Sequence, residues 1–157
     1  MSKILAKNKY AMRDYEILDK FEAGIVLLGH EVKSIKGGHI NLKGSYVTLQ
    51  QSSSSKKLPE VWLVNAHIPL YEKANKKIRY EPRRSRKLLI KRKEISHLVG
   101  KIREKGLTLV PLTVYSKRGK IKIGFGIGKG LKKYDKREKI KEREDKRKIK
   151  QAMRRSV

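Results

Sequence analysis

From Phe21 the apolar positions fall on every second residue: Phe21, Ala23, Ile25 and Leu27 share one face, while Glu22, Gly24, Val26 and Leu28 make a mixed second face. A two-residue period of this kind marks a strand beside a core. The alternation of Tyr15 and Ile17 extends it backward, so one long, bulged strand is expected from Asp14 through the Phe21 segment. Gly29 breaks the run, and Val32 and Ile35, three apart, predict about two turns of helix over 31–36 that Gly37-Gly38 stops. Further strands are expected over Tyr46–Leu49, over Val61–Ile68 with Pro69 ending it, and over Lys87–Ile90. A second helix follows Glu94, where Ile95, Leu98, Val99 and Ile102 stand at i, i+3, i+4 and i+7 before Gly106. Leu107–Tyr115 and Lys120–Gly128 form a hairpin around 116–119, its second strand alternating Ile121, Ile123, Phe125 and Ile127. The class is mainly β with embedded helices, and the six short strands predict a six-stranded OB-fold-like barrel. A split sheet packed on helices is the alternative.

Outside these elements the pattern fades. Residues 1–13 are basic and lack a period, which predicts a mobile N-terminal arm ahead of a barrel spanning 14–128. Residues 129–157 hold fourteen basic and five acidic residues with few apolar ones. Glu142 with Lys146 and Glu144 with Lys148 give i, i+4 support of about 0.2–0.5 kcal/mol each, but Ile140, Ile149 and Met153 are too few to dock a helix. The expectation is a tail disordered when free and helical when bound to RNA. Residues 50–57 read as an exposed hairpin loop. Residues 70–85 interleave Tyr71 and Tyr80 with lysine and arginine, which suits either unpaired RNA or an ordinary solvated loop.

Composition narrows the partner. Only 38% of the 157 residues are hydrophobic and 36% are charged, so the core is small. A formal charge of +27 repels itself until a polyanion neutralises it, which favours nucleic acid over an anionic membrane. No apolar stretch approaches the ~20 residues of a spanning helix and no secretory signal is visible, so a cytoplasmic protein is expected. With no cysteine there is no disulfide framework or thiolate metal site. His30, His39, His67 and His97 show no metal-ligand spacing, and the tail carboxylates read as helix pairs. GFGIGKG, residues 124–130, lacks the full phosphate-loop pattern and follows a hairpin. Neither an enzyme nor a cofactor is expected.

The run GHEVKSIKGGHINLKGSY closely resembles the G-x-E-V-K-S-x-R-x-G-x-x-N-L-x-x-S-Y pattern of the SmpB (small protein B) family of tmRNA-binding proteins. FEAGIVLLGHEVKSIKGG, NAHIPLYE, RKLLIKRKEI, REKGLTLVPL and GKGLKKYDKREKIKERE resemble family segments in family order. The resemblance implies an OB-like barrel that binds the tRNA-like domain of tmRNA and brings it to stalled ribosomes, the adaptor of trans-translation. It also implies that alanyl-tRNA synthetase and elongation factor Tu act on the same tmRNA. Carried over by position, Glu31, Lys33, Ser34, Lys36, Asn41 and Lys43 join the tmRNA-binding surface, with Arg84, Arg86 and Lys87 adding phosphate contacts. Tyr134, Asp135, Lys136 and Arg137 meet the decoding centre of the small subunit, and the rest of the tail lies as a helix in the empty message channel.

Two departures alter the expected chemistry. Lys36 replaces the family's usual arginine and loses the planar fork that grips RNA bidentately. Tyr134 stands where histidine often precedes D-K-R; it stacks on a base but cannot become cationic. A general basic OB-fold RNA binder and a nuclease are the competing classes.

Overall fold

The computed structural model describes residues 2–52, 57–131 and 133–155, the side chains of 133–135 excepted. Among the described residues seven strands are formed: β1 Ser2–Lys7, β2 Tyr15–Ile25, β3 Tyr46–Gln50, β4 Glu60–Val64, β5 Arg86–Leu89, β6 Leu107–Lys117 and β7 Lys120–Gly130. Four helices among the described residues accompany them: α1 Ala11–Asp14, α2 Gly29–Lys36, α3 Arg92–Ile102 and α4 Lys133–Arg155. Every strand pairing is antiparallel.

Six strands close into a ring. β6 pairs with β7, β7 with β2, β2 with β5, β5 with β4 and β4 with β3, and β3 returns to β6 through Val47 and Leu109. These are the six strands expected from the alternation, so the split-sheet alternative falls. The ring encloses Leu63, Leu109, Val114, Ile123 and Phe125, each at most 1% exposed, and Ile35 of α2 and Leu98 of α3 plug it from outside the sheet. Burying such a side chain contributes roughly 1.5–3 kcal/mol.

The N-terminus differs from expectation. Ser2–Lys7 is not a mobile arm but an edge strand, paired with Thr113–Lys117 of β6. The reason is tertiary: β6 meets β3 only at Leu109, so its C-terminal half has an unpaired edge that β1 fills. Leu5 and Ala6 rest against the core. Asn8 then locks the junction, its N–H donating to the Leu112 carbonyl at 2.8 Å and its Nδ2 to that of Pro111 at 2.9 Å.

The fourth element also ends early. Instead of continuing to Ile68, β4 stops at Val64 because Asn65 turns left-handed at φ 65°, a conformation asparagine tolerates. Its Nδ2 donates to the Gly44 carbonyl at 3.1 Å, and the chain resumes pairing only at an isolated bridge between His67 and Asn41. GFGIGKG lies within β7, with its phenylalanine and isoleucine inside the ring. At Gly126 the outer surface is covered by β2, where a Cβ would come within 2.7 Å of the Asp19 carbonyl oxygen. Close strand approach, not phosphate binding, explains that glycine.

The tail is helical over Lys133–Arg155, and β7 runs two residues past the expected boundary at 128 to Gly130. No helix among the described residues is long and apolar enough to cross a membrane.

Candidate nucleic-acid interface

The helix expected to present Glu31 to a partner turns that carboxylate inward. α2 begins after Leu28 in extended conformation, and the Leu28 N–H donates to Glu31 Oε1 at 2.8 Å, closing the first turn. Ile35 is fully buried, and the Gly37-Gly38 stop holds through N–H bonds from Gly38 to the Ile35 carbonyl and from His39 to the Ser34 carbonyl. These contacts leave Glu31 with 0% exposure among donors. Arg86 donates through Nε at 3.0 Å and Nη2 at 2.5 Å, Arg84 through Nε at 3.2 Å and Nη2, and the Tyr80 hydroxyl lies 2.8 Å from Oε2.

Arg86 is itself 0% exposed and spends its remaining donors on the carbonyls of Ala66 and Pro82, at 2.7 and 2.9 Å. One carboxylate therefore ties α2 to β5 and to the 66–82 connection. Burial pushes the Glu31 carboxyl up, but hydrogen bonds from Arg84, the Leu28 N–H, Arg86 and Tyr80 outweigh it and hold it down at about 2. Tyr80 is pushed up to about 12 by burial and by its bond to Glu31.

Three of the nine expected RNA contacts are thus not surface groups. Glu31 and Arg86 form the buried ion pair, and Ser34, 1% exposed, donates its hydroxyl to the Pro69 carbonyl at 2.9 Å. Spacing on a short helix identifies a shared face but not which side meets the barrel. Tyr80 likewise anchors the 70–85 loop to Glu31. Arg84 is the intermediate case: it pairs with Glu31 yet keeps 30% of its side chain in solvent.

The other five reach the surface. Lys33, Lys36, Asn41 and Lys43 are exposed around α2 and the turn after it. Lys33 Nζ sits 5.8 Å from the centre of the Tyr71 ring, and Asn41 Oδ1 accepts from the Lys43 N–H at 2.9 Å. Lys87 points from the outer wall of β5, 3.4 Å from Glu60.

Sequence reasoning missed two features of that wall. Val26, Leu28 and Leu89 are exposed beside Lys87, an aliphatic strip on a basic surface. Glu22 accepts from the Tyr115 hydroxyl and lies 3.6 Å from Lys117 Nζ. The mixed second face of the first strand was the available signal.

At the tail root, Lys136 is 3.6 Å from Asp14 and Lys139 Nζ donates to the Tyr15 carbonyl at 3.4 Å. Arg137 is exposed, while the side chains of Tyr134 and Asp135 lie outside the described residues. Among the described residues no group of three or more histidine, aspartate or glutamate side chains is placed to hold a metal ion.

A closed antiparallel barrel ringed by lysine and arginine, with a basic helix leaving one end, defines a small OB-like barrel of the polyanion-binding class. Within that class the chain belongs to the SmpB family: the family profile described as SmpB protein matches residues 5–155. An SsrA-binding protein of Carboxydothermus hydrogenoformans is 49% identical over 154 residues, 98% of each chain. The SsrA-binding protein of Trichormus variabilis is 48% identical over 151 residues, 96% of this chain and 93% of the relative. A solved chain described as tmRNA-SmpB at the centre of the bacterial ribosome superposes with a TM-score of 0.63 at 39% identity, covering 86% of this chain and 93% of that one.

Proposed function

We propose that this protein is the tmRNA-binding adaptor of trans-translation in the cytoplasm, binding the tRNA-like domain of tmRNA and delivering it to ribosomes stalled on messages without a usable stop codon. The similarity to SsrA-binding proteins across 98% of both chains carries this reading, and the charge of +27 suits it physically. Lys33, Lys36, Asn41, Lys43 and Lys87 contact the RNA, joined by the exposed part of Arg84. Glu31, Ser34 and Arg86 act as positioning residues: they hold α2, Arg84 and the 66–82 connection in one arrangement. Phosphate contacts of this kind set affinity and orientation and do not by themselves choose one RNA over another.

The tail supplies the second half of the mechanism. Tyr134, Asp135, Lys136 and Arg137 meet the decoding centre, and the rest of α4 enters the message channel. A channel walled by phosphate attracts a basic helix, and a message already filling it keeps the helix out, so vacancy is the signal. The ribosome supplies the peptidyl-transfer chemistry and this chain none. Alanyl-tRNA synthetase and elongation factor Tu act on the same tmRNA.

The test is competition binding of labelled tRNA-like domain against excess ordinary tRNA and unrelated hairpins at near-physiological salt, since low salt hides specificity under phosphate attraction. A surviving complex supports the adaptor; equal displacement by every competitor favours a general RNA binder. Removal of 134–157 is expected to abolish tagging of stalled peptides while leaving most tmRNA affinity.

A further inference from the structure

Beside the root of the tail lies a cleft of about 230 Å³ that the adaptor reading leaves unused. It is smaller than the ~300–1,000 Å³ of sites for drug-sized ligands, a size suited to one planar ring system. Tyr10, Tyr15 and Tyr46 line it together with Leu109, Asn8 and Asp14. Tyr46 is 49% exposed, leaving its ring open to a stacking partner. Two cations lie over the Tyr10 ring, Arg13 Cζ at 4.9 Å and Lys43 Nζ at 5.3 Å from its centre. Aromatic rings with cations beside them are the means by which proteins hold an unstacked base and its phosphates.

Two of the polar side chains that line the cleft, Asn8 and Asp14, narrow the choice of base because each has an acceptor oxygen left over. Asn8 is 9% exposed, and while its Nδ2 donates to Pro111, its Oδ1 is buried without a hydrogen-bond partner. Asp14 uses Oδ1 for Arg13 Nε at 3.1 Å and for Lys136 at 3.6 Å, and Oδ2 takes no hydrogen bond among the described residues. Burial raises the Asp14 carboxyl, but Arg13 and Lys136 bring it below the usual value, so it enters the cleft as an anion. An anionic carboxylate accepts only. Guanine presents N1–H and the N2 amino group side by side on one edge, two donors matching the two oxygens of a carboxylate, whereas adenine, cytosine and uracil each offer a donor beside an acceptor.

We propose that this cleft is a pocket for one unstacked guanine of a bound RNA, the base lying on Tyr46 with its N1–H and N2 amino group donated to Asp14, and its flanking phosphates met by Arg13 and Lys43. The inference rests on the adaptor reading and deepens it. It assigns Lys43 a definite partner and places a base-specific contact where the tail leaves the barrel, so base capture and tail position share Asp14.

The experiment uses the full chain and fluorescence anisotropy at near-physiological salt. Short oligoribonucleotides differing only in a central guanine, inosine or adenine are titrated, with the tRNA-like domain of tmRNA measured in parallel. The expected result is a preference for guanine over adenine of about fivefold or more, as a bidentate base contact of ~1–3 kcal/mol gives, with inosine, which lacks the N2 amino group, between them. Asp14→Asn removes the preference, and Tyr46→Leu weakens all three oligonucleotides about fivefold or more through lost stacking. The inosine comparison is made on the unaltered protein and does not depend on a variant folding. Equal affinity for guanine, inosine and adenine while the tRNA-like domain still binds overturns the pocket alone. Loss of specific binding to that domain as well overturns the adaptor reading and the pocket with it.

Discussion

Replacing Glu31 by glutamine tests the arrangement on which the surface depends. The substitution keeps the shape of the side chain and removes its charge, leaving Arg86, at 0% exposure, with no anion among the described residues and only neutral acceptors to face: the carbonyls of Ala66 and Pro82, the Tyr80 hydroxyl and the new amide oxygen. Breaking a buried pair by removing one partner costs about 3–5 kcal/mol. The titration argument gives a similar figure: holding the carboxyl at about 2 against its ordinary 4.5 corresponds to about 3 kcal/mol. Against a total stability of roughly 5–15 kcal/mol this is a large fraction. The folded-state value is depressed, so the contribution is present above pH 4.5 and is lost as pH falls toward 2.

The assay is urea unfolding followed by Trp62, the only tryptophan, which sits on β4 of the ring. E31Q is expected to lower the stability at pH 7 by about 3 kcal/mol or more and to flatten its decline over the acid range. A loss under ~1 kcal/mol, within what one neutral hydrogen bond contributes, refutes the reasoning, because Arg86 would then be satisfied by neutral acceptors alone. Weaker tmRNA binding by E31Q that recovers at low temperature would identify a positioning role, whereas a binding loss at unchanged stability would point to direct contact.

Three further outcomes are expected. Gly126→Ala places a Cβ within 2.7 Å of the Asp19 carbonyl oxygen and 2.8 Å of Ile17 Cγ2, and is expected to cost about 1–3 kcal/mol in urea unfolding; a neutral result would mean that β2 shifts freely off β7. Ile35→Ala, at a site with 0% exposure, is expected to cost about 2–5 kcal/mol, whereas exposed Lys36→Ala stays within ~0.5 kcal/mol in stability but weakens RNA binding; stability and affinity measured on both separate core from surface on one helix. Lys43→Ala is expected to lower the salt slope of RNA binding by about one unit, read from affinities over a range of salt; an unchanged slope would remove Lys43 from the phosphate contacts.

Local pattern carried most of the ring. Alternation such as Ile121, Ile123, Phe125 and Ile127 reports which face of a strand is buried whatever the strand pairs with, so the six ring strands were legible, as was α2 between its glycine boundaries. The charge and the ordered family segments are likewise properties of the chain itself, and they point to the partner class and family independently of the fold. β1 was not legible: Ile4, Leu5 and Ala6 have no period, and the strand exists because β6 outruns its neighbour β3. Nor was the end of β4, which depends on Asn65 reaching Gly44.

The candidate site divides in the same way. That Lys33, Lys36 and Lys43 are exposed follows from lysine's cost of burial, and the sequence alone sufficed for it. That Glu31, Ser34 and Arg86 are buried does not, because a charged residue is buried only where partners from distant segments meet it, here across 53 and 55 residues of chain. The same holds for the cleft at the tail root, which brings Asn8, Asp14 and Tyr46 together from segments that share no motif. Sequence by itself determined the strands, the charge and the family; tertiary structure decided which charges face RNA and which hold the frame, because burial of an ion depends on partners that only the closed barrel brings within reach.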